Sequence, residues 1–189
     1  MSMLTQAEET SLIALVSDDY SAFEKLYNYY FPRIYNYVHY RVSNFHAADD
    51  IISQTFEKLF SRFRYYQSEK ATFSVWLFTI ARNTIIDYYR SESRTQLTSI
   101  ETAAELASSE SNPEETAIFN EIQQKILKAL AVLSKREQDI IALKFWSGFS
   151  NREIAKLLNI SESNTGIILF RAMRRLRIIL ESQGLSVND

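Results

Sequence analysis

The chain has no cysteine, three glycines and two prolines in 189 residues. The first absence removes disulfides, thiolate metal sites and cysteine nucleophiles together. The scarcity of glycine and proline argues against a turn-rich sheet protein and for long uninterrupted helices. Histidine is also rare, with His39 and His46 alone, so no metal site is expected. No apolar run approaches the roughly 20 residues that a membrane span needs, and no membrane insertion is expected. The first residues, "MSMLTQAEETSLIALVSDDY", lack a basic flank before their apolar part and do not form a signal peptide. A cytoplasmic protein without cofactor or metal fits these absences. Nor is there a glycine-rich nucleotide loop or a nucleophile–base pair, so no enzyme is expected. Asp87, in "DYYR", reads as a helix-surface partner for Arg90 or Arg94.

What is present is apolar surface: 46% of the residues are hydrophobic, enough to bury real cores. No β-alternating run bounded by turn residues occurs, and the pattern is all-α. The net charge of −2 is not that of a protein that coats DNA by itself. Its distribution is uneven, with residues 95–124 lacking Lys and Arg and a basic stretch following them. The organisation expected is a helical domain over 1–94, a Ser/Thr/Ala/Glu-rich linker over 95–112, and a second helical domain over 113–189. Asn112–Pro113 is a good helix start. "SKRE" at Ser134 and "SNRE" at Ser150 each fit the reciprocal Ser–Glu capping box.

In "AADDIISQTFEKLFSRF" a helical turn of 100° per residue places Asp50, Ser53, Gln54 and Glu57 on one stripe. Ile52, Phe56, Leu59, Phe60 and Phe63 fall opposite. The polar stripe suits either a solvated surface or an acidic docking face. In "SVWLFTIARNTIIDYYRSESR", Leu77, Ile80, Ala81, Thr84 and Tyr88 share one side, and Thr79, Arg82, Asn83, Ile86 and Arg90 the other. That mixed second stripe suits a nucleic acid. The intervening "RFRYYQSEKATF" offers Arg62, Arg64 and Lys70 for phosphates and Tyr65, Tyr66 and Phe73 for stacking on unpaired bases, about 1–3 kcal/mol per base. The competing role of these aromatics, above all Phe73 and Trp76, is core packing.

The segment "SNREIAKLLNISESNTGIILFRAMRRLR" has the outline of a helix-turn-helix. With Thr165, Leu169, Ala172 and Leu176 inward, its second helix presents Ser163, Asn164, Ile167, Phe170, Arg171, Arg174 and Arg177. Asn164 can pair with adenine, Ile167 can touch a thymine methyl, and Arg171, Arg174, Arg175 and Arg177 can neutralise phosphates. Ile167 and Phe170 suit a protein neighbour equally well. Gly166 costs about 1 kcal/mol of helix propensity against Ala.

Together these motifs resemble bacterial RNA polymerase sigma factors of the two-domain extracytoplasmic-function group. "AADDIISQTFEKLF" is similar to that family's D-x-[ED]-D-[LI]-[VI]-Q-[ED]-x-F. "FSVWLFTIARNTIIDYYR" is similar to its W-L-x-x-I-A-x-N-x-x-x-D-x-x-R. "LSKREQDIIALKFWSGFSNREIAKLLNISESNTGIILFRAMRRLR" is similar to its C-terminal motif, and the match runs from about Ser21 to Leu180. The resemblance implies that Asp49, Asp50, Ser53, Gln54 and Glu57 dock on the β′ coiled coil of the polymerase core. It implies that Thr79, Arg82, Asn83, Ile86 and Arg90, with Arg62, Arg64, Tyr65, Tyr66 and Lys70, capture the unstacked −10 element. The C-terminal domain, through Arg152, Ser163, Asn164, Ile167, Arg171, Arg174 and Arg175, would bind the −35 duplex and meet the β flap. An anti-sigma protein is a further implied partner.

Two departures stand out. Ser53 and Gln54 replace a Gln and a common acid of the docking motif, shortening one reach and removing one charge. Gly166, Ile167 and Ile168 replace a polar or basic triplet in the recognition helix. The alternative reading is a stand-alone helix-turn-helix regulator that binds duplex DNA without the polymerase.

Overall fold

A computed structural model describes residues 4–16, 19–42, 44–95 and 128–185, with 122, 125 and 126 also placed. Apart from Thr95, the expected linker and the Asn112–Pro113 start lie outside these residues. All regular elements among the described residues are helical: α1 (Gln6–Leu15), α2 (Tyr20–Arg41), α3 (Phe45–Arg62), α4 (Phe73–Thr95), α5 (Lys135–Ile141), α6 (Asn151–Leu158) and α7 (Glu162–Ser182). Residues 128–131 are helical as well. None of the described helices is long and apolar enough to cross a membrane.

The helix starts follow local chemistry. Thr5–Glu8, Ser134–Glu137 and Ser150–Glu153 form complete capping boxes at α1, α5 and α6, each satisfying backbone donors that a helix leaves free. Asn44 caps α3 by accepting from the Ala47 N–H at 3.0 Å. Between α5 and α6 the chain widens into one π-helical turn, Ala142–Trp146, and reverses at Gly148, whose φ of 74° is costly for a residue with a Cβ.

α2 carries the N-terminal core: Ala22, Leu26, Tyr30, Ile34, Tyr37 and Val38 are buried along one stripe. α3 adds Ile51, Ile52, Phe56 and Leu59, and α4 adds Phe73, Leu77, Phe78, Ala81 and Ile85. α1 has no buried residue and lies on α2 through Leu12, Ile13 and Val16. There the Tyr30 hydroxyl donates to the Glu9 carboxylate. Burial raises the Glu9 carboxyl and, more strongly, the Tyr30 phenol above their ordinary values.

The two domains share one apolar cluster. Ile140, Leu143, Phe149, Ile154 and Leu157 join it from the C-terminal domain. Phe149 meets Phe78 edge-on, with centroids 4.8 Å apart. A smaller cluster of Leu130, Leu133, Ile141 and Ala172 holds α5 against α7.

Candidate polymerase and nucleic-acid interfaces

On α3 the stripe of Asp49, Asp50, Ser53, Gln54 and Glu57 is fully solvent-facing, while Ile51, Ile52, Thr55, Phe56 and Leu59 are buried behind it. Periodicity separates Asp50, Ser53, Gln54 and Glu57 from Ile52, Phe56 and Leu59, since one buried face fixes the other; the resemblance alone adds Asp49. The Ser53 hydroxyl is turned back to donate to the Asp49 carbonyl at 3.0 Å. The Asp49 carboxylate lies 3.2 Å from His39 Nε2, a neighbour from α2 that the helix pattern could not show. Phe60, expected on the inner side, is 56% exposed and rests on Phe23 with centroids 4.3 Å apart. It lies two residues from the end of α3.

α4 packs on α3 through Leu77, Ile80, Ala81 and Thr84, all buried. Asn83, Ile86 and Arg90 are exposed, and Thr79 and Arg82 half-buried. Thr79 spends its hydroxyl on the Val75 carbonyl at 2.7 Å. Between the two helices runs a groove of about 440 Å³ lined by Lys58, Arg62, Ile80, Asn83, Thr84, Ile86, Asp87 and Arg90. Asp87 therefore stands in a groove with three cations. Lys58 donates to the Thr84 hydroxyl at 3.0 Å. Lys58 lies between the two stripes of α3, where helical periodicity assigns no role.

The loop between the helices divides its aromatics. Tyr66 is half-buried, edge-on to Phe73 at 5.5 Å and against Trp76 at 5.1 Å, and its hydroxyl donates to the Ala71 carbonyl at 3.1 Å. Burial raises its phenol above the ordinary value. Phe73 is buried at 1% exposure. Tyr65 is 62% exposed, with the Arg64 guanidinium 4.8 Å over its ring. Arg62, Arg64 and Lys70 are exposed. The loop thus presents one exposed ring, covered on one side by Arg64, and three cations on a scaffold made by the other rings.

The helix-turn-helix is built by α6 and α7. α6 stops at Asn159, which adopts the left-handed conformation (φ 53°, ψ 54°) while its N–H and that of Ile160 close the turn. Ser161 then caps α7, accepting from the Asn164 N–H at 3.1 Å. Thr165 and Ala172 are fully buried and Leu169 and Leu176 half-buried. Ser163, Asn164, Ile167, Phe170, Arg171, Arg174 and Arg177 face solvent, as does Arg152 at the start of α6.

Arg175 is paired: its guanidinium donates to the Glu137 carboxylate at 3.1 Å. Burial would raise that carboxyl, but the Ser134 hydroxyl and N–H and the Arg175 charge hold it below its ordinary value. Arg82 is likewise paired, donating through Nε to the Asp139 carboxylate at 3.2 Å. No group of His, Cys, Asp and Glu among the described residues could hold a metal ion.

Comparison with known proteins agrees with this layout. Residues 26–95 match the family Sigma-70 region 2, and residues 123–176 match Sigma-70, region 4. The ECF RNA polymerase sigma factor BldN of Streptomyces coelicolor is 30% identical over 160 residues, 84% of this chain and 60% of BldN. SigL of Mycobacterium tuberculosis, also an ECF RNA polymerase sigma factor, is 30% identical over 141 residues, 74% of this chain and 77% of SigL. Among solved structures, the sigma factor RpoE in complex with the anti-sigma factor NepR from Bartonella quintana superposes with a TM-score of 0.68 at 23% identity. That match covers 84% of this chain and 96% of RpoE. The ordered pair of regions, with relatives at this identity, shows that the chain belongs to the extracytoplasmic-function group of RNA polymerase sigma factors.

Proposed function

We propose that this chain is a promoter-specificity subunit: it docks on the polymerase core, captures the −10 element as single strand and holds the −35 element as duplex. The observation that carries the reading is the α3–α4 pair. Its apolar faces are buried together, and the acidic stripe from Asp49 to Glu57 and the Asn83–Arg90 stripe both remain in solvent. A polymerase bound to the first stripe would hold the second in a fixed place. Positioning of this kind converts a weak strand contact into an intramolecular one.

In this reading the acidic stripe meets the β′ coiled coil, Tyr65 stacks on an extruded base, and Asn83 reads a base edge beside it. Arg62, Arg64, Lys70 and Arg90 follow the displaced strand's phosphates. Ser163, Asn164 and Ile167 stand at the start of α7, the part of a recognition helix that meets base edges. Arg152, Arg171 and Arg174 hold the duplex backbone, and the same domain rests on the β flap. An anti-sigma protein belongs among the partners we propose, and the cytoplasm is the proposed compartment. The role is one of binding and strand opening, with no covalent chemistry assigned to any residue.

The test is reconstitution: purified chain added to core polymerase, with transcripts mapped on genomic fragments. Complex formation and starts behind one asymmetric −35/−10 site are expected. A chain that fails to bind core polymerase, yet binds duplex half-sites tightly alone, would support the stand-alone regulator and defeat this proposal.

A further inference from the structure

α7 turns two apolar side chains to solvent on the face that the proposed function gives to duplex DNA. Ile167 is 49% exposed and Phe170 68%. Their neighbours behave differently: Thr165 and Ala172 are buried, and Ile168 and Leu169 pack against the core. At 100° per residue, Ser163, Asn164, Phe170, Arg171 and Arg174 all fall within about 60° of Ile167 around the helix axis, and all are exposed. Glu162, the acid in the first turn, falls about 140° away. The front of α7 therefore carries two polar residues at its start, two apolar ones next, and two cations after them.

This order says what the face is suited to meet. Single apolar side chains are common on surfaces, whereas neighbouring ones framed by polar groups mark a contact. The arginines match a polyanion, and the major groove of DNA offers one apolar feature, the C5 methyl of thymine. Between Lys156 and Arg171 the chain has no Lys or Arg. The paired hydrogen bonds that a guanine edge takes from such side chains are thus missing at the start of α7. Asn164, Ile167 and Phe170 stand three residues apart, about 4.5 Å along the axis at each step, against about 3.4 Å between base pairs. Residues at this spacing on a helix in the major groove meet successive base pairs, as in zinc fingers.

We propose that α7 selects three successive A·T pairs: Asn164 takes an adenine edge, and Ile167 and Phe170 take the thymine methyls of the next two pairs. The placement of α7 on the −35 duplex is taken from the proposed function; the choice of bases is what this face adds. Specificity is set by the fit of methyl groups against apolar side chains. Arg171 and Arg174 supply affinity that does not depend on sequence.

The test uses the full chain, with and without core polymerase, to select duplexes from a randomised pool. The recovered −35 element should hold three adjacent A·T pairs. It is then resynthesised with deoxyuridine for thymidine, one position at a time, which keeps the pairing and removes only the methyl. Affinity of the parent chain should fall about fourfold for each methyl lost at the two positions. Ile167→Ala and Phe170→Ala should bind the thymine duplex more weakly, each becoming indifferent to uracil at one position only. The uracil arm leaves the protein unaltered, so a misfolded variant cannot imitate its result.

Equal affinity for the thymine and uracil duplexes overturns the proposal, as does a selected −35 element without adjacent A·T pairs. So does a loss of core-polymerase binding by Ile167→Ala or Phe170→Ala in the absence of DNA, which would give this face to a protein. A chain that selects duplexes alone but never binds core polymerase defeats the proposed function, while uracil sensitivity of that binding upholds the base selection. A chain that selects no duplex in either form defeats both.

Discussion

The indole of Trp146, at the end of the π-helical turn, stacks on the ring of Tyr40 in α2, with centroids 4.3 Å apart and planes 24° from parallel. It joins α2 to the C-terminal domain. A ring pair of this geometry contributes about 0.5–1.5 kcal/mol beyond the area it buries. Trp146→Ala is therefore expected to lower the urea midpoint modestly, with far-ultraviolet helicity retained. A loss above about 3 kcal/mol would mean that the ring supports the C-terminal core as well.

The loop before α4 separates two kinds of aromatic. Phe73 touches Tyr30, Phe63, Tyr66 and Trp76 and is buried, so Phe73→Ala should cost about 3–5 kcal/mol of stability. Tyr65 is exposed, and Tyr65→Ala should change stability by less than about 0.5 kcal/mol. It should nevertheless weaken promoter opening by the equivalent of about 1–3 kcal/mol. Denaturation curves and permanganate footprinting of the open complex measure the two effects separately.

These two residues also show what could be read from the sequence. Helical periodicity placed the acidic stripe of α3, the mixed stripe of α4 and the inward stripe of α7, because each depends on one buried face. It could not sort Tyr65 from Tyr66, which are adjacent in an irregular loop and differ only in which ring reaches Trp76. Nor could it foresee that Arg82 and Arg175 meet carboxylates of α5, because those pairs join residues 57 and 38 positions apart. Lys58 was invisible for a related reason: its place beside Thr84 is set by how α3 and α4 cross.

The two DNA contacts proposed here should fail differently. Asn83→Ala should impair opening while leaving polymerase binding intact, since Asn83 lines the groove and lies outside the acidic stripe of α3. Arg171→Ala should weaken −35 duplex binding and reduce the slope of log affinity against log salt by about 1. Core-binding titrations, footprinting and a salt series distinguish them. An unchanged salt slope would remove Arg171 from the phosphate contacts.

Glu137 gives the C-terminal domain a pH dependence with a defined sign. Its carboxyl is held below the ordinary value of 4.5 in the folded chain, so its contribution is present above that value and is lost as pH falls through the folded one. Glu137→Gln keeps a side chain that can close the capping box but loses the charge toward Arg175. Near neutral pH the variant should be less stable by about 1 kcal/mol. The difference from the parent should shrink toward zero in acid. A difference that stays constant from neutral pH into acid would show that the amide's hydrogen bonding, and not the charge, is responsible.

Gly166 sits in the first turns of α7, at a cost in helix propensity. A Cβ there would meet Asn151 Nδ2 at 3.7 Å, an ordinary contact, and its φ is not in the left-handed region. Nothing among the described residues therefore requires glycine at this position. Gly166→Ala should raise stability by about 1 kcal/mol through helix propensity alone, read as a higher thermal midpoint. Its half-buried side faces α6, whereas Ile167 beside it is 49% exposed, so −35 duplex binding should persist. Stabilisation accompanied by lost duplex binding would show that glycine serves a backbone approach to DNA. In that case the specificity of this helix would rest on how deeply it enters the groove, and only secondarily on the side chain of Ile167.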